Sequence, residues 1–122
     1  MSDRITDAEF EVLDALWEAA PAAASDIFSR LKRRKDWSAQ TVKTLLARLV
    51  EKGAVDSAPD GRRYLYRPIL SKDDYARDAA TSIIDRLFGG RAAPLVANLA
   101  DNGKLTRKDI ADLDAILKEL KK

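Results

Sequence analysis

Between Gly53 and Pro68 the chain carries a helix-stopping glycine, a short β-prone run (Ala54–Ser57), the turn sequence Pro59-Asp60-Gly61 and a second β-prone run (Arg62–Pro68). Proline presets φ and glycine supplies a positive φ, so this order predicts a β-hairpin over residues 54–68. A lone hairpin is not stable in water and must pack on something. What precedes it therefore decides the fold.

Three helical patterns precede it. Thr6-Asp7-Ala8-Glu9 reads as a capping box, followed by Phe10, Leu13, Leu16 and Trp17 at helical spacing. Pro21 ends that helix or begins the next connection. Ser25 is expected to cap a second helix with Ile27, Phe28 and Leu31 inward, running out in Lys32-Arg33-Arg34-Lys35. Ser38 is expected to cap a third helix reaching about Lys52, with Gly53 as its stop. Helix, helix, helix, hairpin is the order of a winged helix-turn-helix, with the third helix as recognition element and the hairpin as wing.

The remainder reads as helix. Ser71 caps a fourth helix to about Phe88, ended by Gly89-Gly90; a short fifth helix lies around Pro94–Ala100; Thr106 caps a sixth, with Asp109 at the box position. The fold expected is thus mainly α with a small β-hairpin wing: a winged-helix domain over residues 1–70 and a helical dimerisation domain over 71–122. Ile83, Ile84, Leu87 and Phe88 on the fourth helix, and Leu113, Ile116, Leu117 and Leu120 on the sixth, need a partner. A second copy is the partner favoured over the winged helix itself, because a winged helix already encloses its own core.

Charge locates the functional face. The net charge is only +2, but residues 30–67 hold eleven Lys or Arg against four acids, about +7, whereas residues 1–29 hold one base and seven acids. A basic block in an otherwise balanced chain is the footprint of a nucleic-acid contact, although a solvated face gives the same count. On a helical wheel, Val42, Leu45, Leu46 and Leu49 share one side. Gln40, Thr44, Ala47 and Glu51 lie opposite, flanked by Lys43 and Arg48, with Thr41 at the border. Gln reads adenine, Lys or Arg reads guanine or phosphate, and Thr reads a polar edge or a thymine methyl. Ser38, Gln40, Thr41, Lys43, Thr44 and Arg48 are therefore the expected DNA contacts on the third helix, with Arg62 and Arg63 near the wing tip on phosphate. Trp37 is read as a packing residue, and one of Leu65 and Tyr66 as core.

Other classes fare worse. The chain has no cysteine and no histidine, so it lacks thiolate ligands, the commonest metal ligand and the commonest general base. No metal or cofactor is expected. The acidic pairs Asp73-Asp74 and Asp109/Asp112 read as helix dipole compensation and helix surface rather than catalysis. No window approaches the roughly 18 apolar residues of a membrane span, and the first residues lack a signal-peptide pattern, so a cytoplasmic protein is expected. A winged helix used only to bind protein is the alternative; a salt-dependent shift on duplex DNA separates the two. RNA is disfavoured because no aromatic stacking platform is evident.

The run Lys35-Asp36-Trp37-Ser38, then Thr41-Val42-Lys43-Thr44-Leu45-Leu46, Arg48-Leu49 and Lys52-Gly53, resembles the BlaI/MecI/CopY (penicillinase repressor) family. Ala8-Glu9, Val12-Leu13, Leu16-Trp17 and Tyr64-Leu65-Tyr66 match it as well, so the resemblance covers nearly the whole chain. It implies a homodimeric repressor on a palindromic operator in double-stranded DNA. In β-lactamase repressors of the family, a membrane sensor protease system triggers cleavage in the dimerisation region; the matching bond here is Asn98-Leu99. The copper-responsive branch senses metal through C-terminal cysteines, which this chain lacks.

Overall fold

The protein is described by a computed structural model covering residues 4–122. The elements are α1 (Asp7–Glu18), β1 (Ala22–Ala23), α2 (Ala24–Leu31), α3 (Ala39–Glu51), β2 (Val55–Asp60), β3 (Arg63–Pro68), α4 (Lys72–Leu87), α5 (Ala92–Asp101) and α6 (Arg107–Leu120). The chain divides into two compact units, residues 1–76 and 77–122.

The first unit is a three-helix core closed by a small antiparallel sheet of order β1-β3-β2. α1 starts where its capping box places it: the Glu9 amide donates to Thr6 Oγ1 (3.1 Å) and Glu9 Oε1 accepts from the Thr6 amide (2.9 Å). α3 is capped by Ser38, whose Oγ accepts from the Thr41 amide at 3.1 Å, and it stops at Gly53, which takes φ +78°. The core is aliphatic: Val12, Leu13 and Leu16 from α1, Ile27 and Leu31 from α2, and Val42, Leu45, Leu46 and Leu49 from α3, all buried. Trp37 packs against this cluster, as expected, with the Lys35 ammonium 5.7 Å from its ring centroid.

Two local expectations are corrected and a third is resolved. Ser25 is not the cap of α2 but its second residue. The cap is Ala23, held extended by pairing with Leu65, and its amide donates to Asp26 Oδ2 at 3.0 Å. Two alanines with no β-branched neighbour gave no strand signal, so β1 went unforeseen. The wing turn is shorter than expected: β2 runs through Pro59 to Asp60, and Gly61 (φ +65°) and Arg62 alone make the turn between the paired residues Asp60 and Arg63. Proline is tolerated there because β2 is an edge strand. Of Leu65 and Tyr66, Tyr66 is the one that packs on the core cluster.

The sequence places a domain boundary at residue 70, whereas the first unit extends to Ala76. Trp17 Nε1 donates to the Leu70 carbonyl at 2.9 Å, and the Tyr75 ring lies 5.4 Å from Phe10 and 5.8 Å from Trp17. These contacts fix the chain beyond the wing to α1.

The second unit comprises most of α4 with α5 and α6. Thr106 and Asp109 form the expected box at the start of α6, with both bonds at 3.0 Å. No residue from 77 to 122 is buried.

Candidate nucleic-acid interface

The interface is built on α3. With Val42, Leu45, Leu46 and Leu49 turned into the core, helical geometry leaves Gln40, Lys43, Thr44, Ala47 and Arg48 exposed on the other side. Ser38 is exposed at the N-terminal end. Thr41 is half-buried, its hydroxyl 3.1 Å from Ser38 Oγ, so these two side chains cap the helix as well as edging the face.

The wing brings its arginines beside that helix. Ser25, Lys43, Arg62, Arg63 and Tyr64 line one concavity, so the first turn of α2, the α3 stripe and the wing tip share a surface. Arg63 Nε lies 3.4 Å from Asp60 Oδ2 across the turn, but both side chains are more than half exposed. Such a pair contributes little and does not neutralise the site. Arg62 lies in the turn itself and is exposed. Tyr64 is 56% exposed and lies with Tyr66, Ser57, Ala47 and Val50 around a second, more apolar hollow beside α3.

Not all of the basic block belongs here. Arg30 Nη1 donates to the carbonyls of Ala15 (3.0 Å) and Ala19 (2.7 Å), closing the end of α1. Arg34 lies 4.0 Å from Asp14 and 3.9 Å from Glu18, and Lys52 is turned inward onto Glu9 at 2.6 Å. Among the described residues, Lys43, Arg48 and Arg62 have no carboxylate at ion-pair distance. The charge excess read from sequence is thus sorted by the fold into internal ties and an open face that meets α3 and the wing. Ser25, expected as a cap, joins that face instead, and only the unforeseen strand β1 places it there.

The second unit holds the other residues singled out in the sequence. On α4, Ile83 and Leu87 are exposed while Ile84 and Phe88 are half-buried. On α6, Leu113 is half-buried, and Ile116, Leu117 and Leu120 are 52–75% exposed. Asn98 and Leu99 lie within α5, Asn98 exposed and Leu99 half-buried. Among the described residues no cluster of acidic side chains could hold a metal ion, and no helix is long and apolar enough to cross a membrane.

A three-helix core with a wing and a cation-lined recognition helix defines the class of winged-helix DNA-binding domains. Comparison with known proteins narrows this. The penicillinase repressor family profile matches residues 5–119, and the chain belongs to that family. It is 31% identical over 118 residues to the penicillinase repressor of Bacillus licheniformis, covering 97% of this chain and 92% of that one. It is 30% identical over 113 residues to the methicillin resistance regulatory protein MecI of Staphylococcus aureus, covering 93% and 92%. Among solved structures it resembles monomeric Bacillus licheniformis BlaI in complex with the blaP half-operator. The TM-score is 0.53 at 32% identity, over 62% of this chain and 92% of that one.

Proposed function

We propose that this protein is a cytoplasmic, non-catalytic transcriptional repressor that binds a palindromic operator as a homodimer. The observation that carries this is the open face on which the exposed stripe of α3 and the wing-tip arginines line one concavity. The likeness to a repressor solved with half-operator DNA supports the same reading. α3 enters the major groove with Gln40, Lys43, Thr44 and Arg48 toward base edges, while Ser38 and Thr41 edge the phosphates at its N-terminal end. Arg62 and Arg63 hold the backbone at the wing. The apolar faces of α4 and α6, Ile83, Ile84, Leu87 and Phe88 with Leu113, Ile116, Leu117 and Leu120, join two copies and present two recognition helices to two half-sites. A regulatory protease that cuts Asn98-Leu99 removes α6 and relieves repression.

The test is selection of duplexes from a random library by the purified protein, followed by affinity measurements with Lys43→Ala and Thr44→Ala. Each variant is expected to lose about 1–3 kcal/mol on the selected duplex. It should keep its circular dichroism spectrum and its weaker affinity for a scrambled duplex. Unchanged affinity for the selected sequence in both variants defeats the assignment of α3.

A further inference from the structure

α3 lies on α1 and α2 through Val42, Leu45, Leu46 and Leu49, all branched aliphatic side chains. Interlocking of such side chains limits how far a helix slides along its axis, but dispersion and burial are not directional and set its position only within the tolerance of the packing. Base reading is directional, so something must set the register of α3 against the rest of the domain.

One polar tie is placed to do so. Glu9 is the only charged side chain buried among the described residues, at 1% exposure. Its Oε1 accepts from the Thr6 amide at 2.9 Å and from Lys52 Nζ at 2.6 Å. Lys52 is the residue that closes α3, its own amide still bonded to the Arg48 carbonyl, and its ammonium also donates to the Arg4 carbonyl at 2.7 Å. The C-terminal end of the recognition helix is thereby plugged into the N-terminal turn of α1. Among the described residues, no other side chain of residues 39–52 makes a hydrogen bond or ion pair to another helix.

Stability alone is a poor account of this arrangement. A buried ion pair is often replaceable by apolar residues of similar volume with no loss of stability, and its better-attested use is to fix register. The Glu9 carboxyl is desolvated, which by itself pushes its pKa up. The hydrogen bond from Lys52, the Thr6 amide and the Lys52 charge outweigh that and leave it lowered. Glu9 is therefore ionised at neutral pH, with Lys52 Nζ 2.6 Å from its Oε1.

We infer that Glu9 and Lys52 are positioning residues for sequence reading: their pair, Glu9 buried and Lys52 half-buried, sets the depth and pitch at which α3 meets the bases. Neither touches DNA. The inference rests on the proposed reading of α3 as the recognition helix.

The experiment uses the full-length protein and two probes, a duplex enriched from a random library by the wild type and a scrambled duplex of equal length. Glu9→Leu/Lys52→Met replaces the pair by apolar side chains. It is expected to keep cooperative unfolding and wild-type affinity for the scrambled duplex, yet to lose preference for the enriched one by about 10-fold or more, the scale of one misplaced base contact. Glu9→Gln, which retains the acceptor for Thr6 and removes the charge, is expected to lose a smaller part of the preference and serves as the deciding variant should the double variant unfold. Wild-type preference in the folded double variant, or in Glu9→Gln if only that one folds, overturns the inference. An equal loss on both probes also overturns it, since that marks a general weakening rather than lost register. If the wild type itself enriches no sequence, the DNA-reading function fails first, and this inference falls with it for a recognisably different reason.

Discussion

The two units of this chain bury apolar surface in opposite ways. In residues 4–76, fourteen hydrophobic side chains are buried, and thirteen of them form one cluster shared by all three helices and the sheet. In residues 77–122 none is buried, although Ile83, Leu87, Ile110, Ile116, Leu117 and Leu120 are large and apolar. The first unit carries the means of its own stability. The second has helices with apolar faces left open, the arrangement expected of a half-interface rather than a domain. On the proposed reading, DNA contact falls to the part that is complete alone and assembly to the part that is not.

The sharpest way to break this comparison is to remove α6. A fragment of residues 1–98 keeps the whole first unit and is expected to be monomeric. It should bind an isolated half-site with near wild-type affinity and lose about 10²–10⁴-fold on a full palindrome, the loss of simultaneous engagement. Sedimentation and titration on both duplexes decide the matter. A dimeric fragment with intact palindrome affinity would overturn the division of labour.

Single truncations sharpen it. Leu46→Ala, in the first unit's core, is expected to cost about 2–5 kcal/mol in chemical denaturation at any protein concentration. Leu117→Ala, 52% exposed on α6, should leave that core transition untouched and instead make assembly more concentration-dependent. A core-sized loss for Leu117→Ala in a monomeric sample is the result that contradicts the comparison.

A smaller effect separates two kinds of contact within the first unit. Arg62→Ala with Arg63→Ala should weaken enriched and scrambled duplexes alike. It should also flatten the slope of log affinity against log salt by roughly 0.9 per phosphate contact removed. An unaltered slope would place the wing away from the backbone. The smallest expected effect is on pH. With its folded-state pKa lowered, Glu9 contributes stability above the ordinary glutamate range and loses it as pH falls through the folded value. Acid unfolding of Glu9→Gln should accordingly show a shallower pH dependence than the wild type.

Features held by neighbours in sequence were legible beforehand. The caps at Thr6, Ser38 and Thr106, the stop at Gly53 and the buried stripe of α3 depend on side chains within a turn or two of one another. Features made by distant segments were not. β1 is two alanines that become a strand only because Tyr66 and Leu65 arrive beside them, and that displaced the expected cap from Ser25 to Ala23. Glu9 reads as an ordinary box residue, and nothing local says that a lysine forty-three positions on will meet it. The basic block was visible as a sum, but only the fold distinguishes Arg30 and Lys52, bound internally, from Lys43 and Arg62, which are open.

On the proposed reading, the placement of Asn98-Leu99 in the C-terminal part of α5 carries a kinetic meaning. The carbonyl carbon that a protease must attack is that of Asn98, whose oxygen accepts from the Asn102 amide at 3.1 Å. The Leu99 carbonyl accepts from Lys104 at 2.9 Å, and the Asn98 and Asn102 side chains are themselves bonded at 3.0 Å. A peptide in this state is not a substrate, since a helical backbone cannot lie extended in a protease cleft. Cutting requires α5 to unwind first, and when reclosing is fast the rate follows the small open fraction rather than the total protein. The threshold for induction would then be a property of one ten-residue helix. On the proposed reading, substitutions such as Asn102→Ala would set how long the repressor survives once such a protease is active.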